Sequence, residues 1–180
     1  MFRARVRDDV ELRLIEERHA PTIFGLVDRD REDLRTWLPW VDKTLAEDDI
    51  LSFVHSTLEQ FVAGKGFTAD IWSLERFIGV ISTHKIDRLN RKGEIGYWLS
   101  EPFRGKGIMT DACRAVVTHA LGELDLNRIE IHCAAANEKS SAIPRRLQFT
   151  LEGTLREGEL LNGRFQDLLV FGMLKRDWHT

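Results

Sequence analysis

Cysteine is scarce in this chain: two in 180 residues, with no CxxC pair and no spacing that would gather metal ligands. A disulfide framework and a zinc knuckle are therefore excluded. Cys113, inside a helix-like pattern, and Cys133, inside a strand-like one, read as reduced packing residues. The six histidines offer neither a metal spacing nor a Ser/His/Asp order, so they also read as structural, and no metal is expected. Long apolar runs are absent, which excludes a membrane-spanning helix and makes a soluble protein the expectation. Met1 to Arg7 carries positive charge without the apolar stretch of a secretion signal, so the cytoplasm is the expected compartment. Excess basic charge is missing too. With 26 Lys and Arg against 29 Asp and Glu the formal net charge is −3, which is no footprint for nucleic acid and suits a basic protein or an amine better. No repeat, linker or low-complexity stretch divides the chain, and 180 residues with 43% apolar content suit a single domain, 1–180, with a core of its own.

What is present is organised around Arg104-Gly105-Lys106-Gly107-Ile108-Met109-Thr110, between a strand-like run (Glu94 to Leu99) and a helix-like run (Ile108 to Leu121). Glycines in a turn that opens a helix let several backbone N–H groups converge on one anion, aided by the positive end of the helix dipole, so the stretch reads as a phosphate cradle. Two nucleotide-binding loops are excluded by single residues. The dinucleotide fingerprint needs glycine where Thr110 stands, and the P-loop needs Ser or Thr where Gly107 stands.

Along the chain, Val10 to Ile15 alternates apolar and polar residues as a first strand does. His19 to Leu38 follows a helical period, with Pro21 in its first turn. Trp37-Leu38-Pro39-Trp40 stops that helix, its tryptophans either walling a substrate pocket or packing as an interhelical turn. A second helix begins near Glu47 and ends at Gly64 and Gly66. Phe67 to Ser73 and Phe77 to Lys85 form a hairpin, and Asp87 to Gly93 is a charged connector. Gly96, inside the next strand, hints at a bulge or at another backbone coming close. Arg128 to Ala134 is a strand parallel to the Glu94 strand. Asn137 to Leu147 is a short helix whose Pro144 would let it start as late as Ser140 or Ser141. Phe149 to Leu160 and Gln166 to Leu174 close the chain about an Asn162-Gly163 turn. The order β α α β β β α β α β β gives an α/β (α+β) fold, a mixed sheet with helices packed on its faces.

The loop from Arg104 resembles the pyrophosphate signature of the GCN5-related N-acetyltransferases (GNAT), with Met109 in place of the usual small sixth residue. Glu94-Ile95-Gly96-Tyr97-Trp98-Leu99, Asn137-x-x-Ser140 and Leu151 to Glu157 stand in that family's order and spacing, and the Trp-Leu-Pro-Trp turn is typical of its RimL-like branch, which acetylates ribosomal-protein N-termini. The resemblance covers most of the chain. It implies a GNAT fold, a mostly antiparallel mixed sheet of about seven strands with helices on both faces and a splayed parallel pair, and it makes a homodimer plausible. It implies acetyl-CoA as co-substrate and a protein N-terminus as acceptor, with a small amine as the alternative and an acyl-CoA-binding module with little turnover as a third reading.

Residue by residue, the resemblance gives the backbone of Gly96 to Leu99, with a bulge at Tyr97 or Trp98, to the pantetheine arm and the thioester carbonyl, while both aromatic side chains pack in the core. Arg104, Gly105, Lys106, Gly107, Ile108, Met109 and Thr110 would hold the pyrophosphate, Met109 turning its side chain to the core. Asn137 and Ser140 would lie beside the pantetheine, Ser140 protonating the leaving thiolate; both also suit helix caps. Glu159 matches a general base acting through water, and otherwise reads as a surface glutamate. Trp37, Trp40 and Glu94 would line the substrate pocket, Glu94 being a second carboxylate candidate or a solvated strand edge. Gln148 stands where the family has glycine. A modest base suffices for an N-terminal substrate, because an α-amino group of pKa about 8 is already roughly a tenth neutral at pH 7.

Overall fold

The computed structural model describes residues 3–179. Eight strands form one sheet in the order β1-β2-β3-β4-β5-β6-β8-β7, one more than the seven the sequence pattern suggests. The additional strand is β1 (Arg3–Arg7), paired antiparallel with β2 (Val10–Leu14). Its alternation of arginine with Ala4 and Val6 is the period of a half-buried strand.

From β2 the chain crosses to the helices. The segment expected as one helix from His19 to Leu38 is α1 (Ala20–Arg29) and the single turn α2 (Arg31–Leu34), separated at Asp30 (φ −97°, ψ 13°). The Ser100 hydroxyl donates to the Asp30 carboxylate, a tie across seventy residues that holds the break in place. A short 3-10 turn, Pro39–Lys43, leads to α3 (Glu47–Val62), whose Asp49 carboxylate accepts the Leu45 and Ala46 N–H groups at 2.8 and 2.9 Å, closing the helix start. Then β3 (Phe67–Ser73), β4 (Arg76–Asp87) and β5 (Lys92–Leu99) run as a meander, so the charged connector shrinks to a tight turn at residues 88–91. α4 (Ile108–Gly122) crosses to β6 (Arg128–Ala134), α5 (Glu138–Arg146) follows, and β7 (Thr150–Leu161) and β8 (Arg164–Leu174) close the sheet about Asn162 and Gly163, both at positive φ.

Two cores lie on opposite faces. On one, Met109, Ala112, Cys113, Val116 and Val117 of α4 and Ile143 of α5 pack on Ile71, Ile81, Ile95, Ile131 and Phe171 of the sheet. Met109 is 7% exposed, so its side chain faces this core and leaves the loop clear. On the other face, Ile23 and Val27 of α1 and Ile50 and Val54 of α3 pack on Trp72, Phe77 and Val80. That second helix layer covers β3 and β4 and leaves the same face of β5, β6, β8 and β7 for other use.

Between β5 and β6 the pairing is parallel and covers only Lys92↔Arg128, Gly93↔Ile129 and Glu94↔Glu130. Beyond Glu94 the strands part. β6 stays paired with β8 along its whole length and β5 with β4 from Glu94 to Leu99, so the gap runs between two intact ladders.

Candidate active site

The gap gives the site its first part. Ile95 to Leu99 has no ladder partner on the β6 side, and an extended ligand can lie along such an edge as an added strand. The register against β4 is unbroken from Gly79↔Leu99 to His84↔Glu94, so the bulge expected at Tyr97 or Trp98 is absent; the shift lies in β4 between His84 and Asp87, where Lys85 has φ +52°. Gly96 has a side-chain neighbour rather than a backbone one: a Cβ there would stand 2.9 Å from His84 Cε1.

The cradle is the second part. Gly105 (φ +73°) and Gly107 (φ +77°) adopt left-handed backbone, Gly107 serving as N-cap of α4. The N–H groups of Ile108, Met109 and Thr110 that follow have no carbonyl inside the helix to donate to and are available to an anion. Arg104 has a different task from the one its charge suggests. Its guanidinium donates to the Leu99 carbonyl at 2.7 Å and to the Asp33 carboxylate at 2.8 Å, fixing the loop to the end of β5 and to α2. Lys106 is exposed, with its ammonium 5.6 Å from the Phe103 ring centroid.

Sequence reasoning missed Arg7. From the end of β1 its Nε donates to Asp111 at 2.6 Å and its Nη1 to the Lys106 carbonyl at 2.9 Å. The guanidinium thereby neutralises the one carboxylate in the first turn of α4. The alternation of the N-terminal residues was the signal that could have found it.

α5 supplies the third part. It begins at Glu138, with Asn137 as N-cap, its side-chain oxygen accepting the Ser140 N–H at 3.1 Å. Pro144 therefore stands inside the helix rather than in its first turn, and the later start suggested by that proline is corrected. Gln148, where the family has glycine, takes the left-handed conformation itself (φ +62°). Ser140 is half-buried, beside the Cys133 thiol, which burial pushes up and the Ser140 hydrogen bond lowers in part.

The fourth part is the face of β5, β6, β8 and β7 that α1 and α3 leave open. Glu94, Glu130, His132 and Glu159 share it by register. A distortion sets the position of Glu159 along the strand: Arg156, Glu157 and Gly158 of β7 stand opposite the single Asp167 of β8, whose carboxylate accepts the Glu157 N–H at 2.9 Å, so Glu159 pairs with Gln166 where an unbroken ladder would pair it with Arg164, on the same face in both cases. Its carboxyl is pushed up from the usual range by burial and then by the negative charge of Glu94.

Glu94 is not a solvated edge. Its side chain is 17% exposed and meets His84 at 3.2 Å, Lys85 at 2.8 Å and His132 at 3.9 Å. Burial acts to raise its carboxyl, but the hydrogen bonds of His84 and Lys85 and the charges of His84 and His132 overcome that and bring it down to about 2. His84 and His132, expected to be plain packing residues, thus help hold the negative charge of Glu94 on this face.

The two tryptophans have different surroundings. Trp40 packs on Trp98 of β5, ring centroids 6.1 Å apart. Trp37 lines a cleft of about 420 Å³ with Thr36, Ala136, Leu161, Arg164 and Gln166. Gln166 is the register partner of Glu159, so this cleft opens beside that carboxylate.

The arrangement fits coenzyme A: an unpaired strand edge for its extended arm, a two-glycine turn before a helix for its pyrophosphate, and a hydroxyl-bearing helix start where the two parting strands lead. Comparison with known proteins agrees. The family model described as "Acetyltransferase (GNAT) domain" matches residues 9–150. The Bacillus subtilis (strain 168) protein named "Putative ribosomal N-acetyltransferase YdaF" is 37% identical over 99% of this chain and 98% of its own. The ribosomal-protein-serine acetyltransferase of Escherichia coli (strain K12) is 30% identical over 94% and 95%. The solved structure of RimL, a ribosomal L7/L12 alpha-N-protein acetyltransferase, in complex with coenzyme A superposes with a TM-score of 0.92 at 31% identity, covering 94% of this chain and 96% of that one. An open strand edge, a glycine cradle at a helix start and these similarities along nearly the whole length have one meaning: the chain belongs to the GNAT family and is an acetyl-CoA-dependent N-acetyltransferase.

Proposed function

We propose that the acceptor is the N-terminal α-amino group of a protein, with ribosomal proteins as the substrate class, and that the amine attacks the thioester directly. The observation that carries this reading is Glu159, whose register partner Gln166 lines the 420 Å³ cleft. A cleft of this size, lined by Trp37, Leu161 and polar side chains, suits the end of an extended peptide. The names of the E. coli relative and the RimL structure support the class of acceptor.

Each residue has a bounded task. The free edge from Ile95 to Leu99 and the N–H groups of Ile108, Met109 and Thr110 bind and orient the co-substrate, and its thioester supplies the acetyl group. Glu159 takes a proton from the attacking amine, directly or through water. Its raised carboxyl is a better proton acceptor than an ordinary glutamate and suits an α-amine, which needs little help. Ser140 Oγ hands a proton to the departing sulfur. Asn137 holds Ser140 at the head of α5.

The test is CoA release with peptides beginning in Ser or Ala, measured beside spermidine and free amino acids. Turnover with a peptide at least tenfold above the small amines in kcat/KM is expected. Preference for a small amine by the same margin would overturn the choice of acceptor.

A further inference from the structure

Pro144 creates a debt inside α5 that the helix cannot settle. In an α-helix the N–H of residue 144 would donate to the carbonyl of Ser140, and proline has no N–H. The Ser140 carbonyl is nevertheless satisfied. The hydroxyl of Tyr97, the only tyrosine of the chain, donates to it at 3.1 Å. The same hydroxyl oxygen stands 3.4 Å from Ser140 Oγ, placed to accept its proton. Tyr97 therefore holds Ser140 at two points, backbone and side chain, from β5 across the gap where β5 and β6 have parted. Sequence reading assigned the Tyr97 side chain to core packing, and its ring does pack there; the hydroxyl is what departs from that expectation. Burial pushes the phenol well up from its ordinary value, so the group stays a donor at every working pH.

We infer that Tyr97 is a positioning residue for Ser140, and that Pro144 is what makes it necessary. This rests on the reading of Ser140 as the group that protonates the leaving sulfur. The proline frees a carbonyl, the tyrosine captures it, and the capture fixes the serine hydroxyl over the gap. Before reaction Ser140 Oγ–H points to Tyr97 Oη. Rotation about the Cβ–Oγ bond alone then turns that hydrogen to the sulfur, with no heavy atom moving. A helix with an ordinary residue at 144 would satisfy its own carbonyl and leave the serine rotamer to chance.

The inference is tested by a double-mutant cycle that adds the missing N–H back. Tyr97→Phe should lower kcat about tenfold with KM for acetyl-CoA changed by less than about threefold, because one buried carbonyl and one hydroxyl lose their partner while the binding edge remains. Pro144→Ala alone should stay within about threefold of the wild-type kcat. In Tyr97→Phe/Pro144→Ala the alanine N–H returns a donor to the Ser140 carbonyl, and most of the lost kcat should come back. Circular dichroism on all variants confirms that each is folded. A Tyr97→Phe loss that persists undiminished in the Pro144→Ala background overturns the inference, as does a Tyr97→Phe variant with wild-type kcat. Ser140→Ala separates this from the reading beneath it. A silent Ser140→Ala removes the proton-donor role and the positioning role together, whereas an impaired Ser140→Ala beside an unrescued Tyr97→Phe removes the positioning role alone.

Discussion

Gly107→Ala should cost more than Gly105→Ala, and the difference should disappear with Arg7. Both glycines have left-handed backbone, φ +77° and +73°, which an alanine adopts at a cost of about 1–2 kcal/mol, less about 0.5 kcal/mol recovered from the unfolded chain. Their surroundings differ. A Cβ at 105 meets nothing within 4 Å, whereas one at 107 stands 2.8 Å from Arg7 Nη2. Arg7 Nη2 is the far end of a flexible side chain and can give way, so what is at stake is its exposed hydrogen bond to the Lys106 carbonyl, of a kind that contributes about 0.5–1.5 kcal/mol. At about 2–4 °C per kcal/mol for a chain of this size, Gly105→Ala should lower Tm by roughly 3 °C and Gly107→Ala by roughly 6 °C. In an Arg7→Ala background the clash is gone and the two losses should converge. Thermal unfolding followed by circular dichroism reads all of this. Equal losses with Arg7 in place, or no convergence without it, would refute the account of the cradle.

Glu159→Gln should reduce kcat by about 10²-fold and remove the acid limb of the pH–rate profile. Glu94→Gln should move that limb to lower pH, because taking a negative charge from beside Glu159 makes its carboxyl easier to ionise; a limb that stays put separates the two carboxylates. For stability, the folded-state value of Glu94 near 2 lies below its ordinary 4.5. Its contribution is therefore complete above pH 4.5 and lost as pH falls towards 2, so the Tm gap between wild type and Glu94→Gln should narrow over that window. Gly79→Ala brings a Cβ to 2.3 Å from the Trp98 carbonyl, a backbone atom that cannot yield without moving β5. Loss of acetyl-CoA binding in calorimetry is expected, and undiminished affinity would show that β5 has slack the register does not suggest.

Much of this architecture was legible because it depends on spacing. The strand Arg128–Ala134, the helix start at Asn137 and the glycine loop stand where period and turn chemistry place them. What could not be read depends on contacts far apart in sequence. The helix from His19 breaks at Asp30, which takes a hydrogen bond from Ser100. Pro144 seemed to forbid an early helix start, but the partner that permits it is Tyr97, 47 positions away in the chain by subtraction of their numbers. Arg104 was assigned from its charge to an anion, and Asp33 of α2 holds it instead. The bulge was sought at Tyr97 because Gly96 marked it; two of the distortions that bear on the site lie instead at Lys85 and at Arg156 to Gly158, where no glycine pair or proline announces them clearly. β1 alone was visible and overlooked, since its residues were weighed only as a secretion signal.

The β7 distortion has a second consequence, for encounters between copies of the chain. β7 lies at the end of the sheet order, twelve residues long, with Leu151 43%, Leu155 50% and Leu160 54% exposed. A flat strand of that length and composition would template open-ended stacking with its neighbours. Three residues crowded against one at Asp167 interrupt its row of donors and acceptors midway, and Glu152, Arg156 and Glu157 add charge along it. Excising two of the three crowded residues would restore a regular ladder with Glu159 still opposite Gln166, and it would convert the border of the sheet into a nucleus for aggregation.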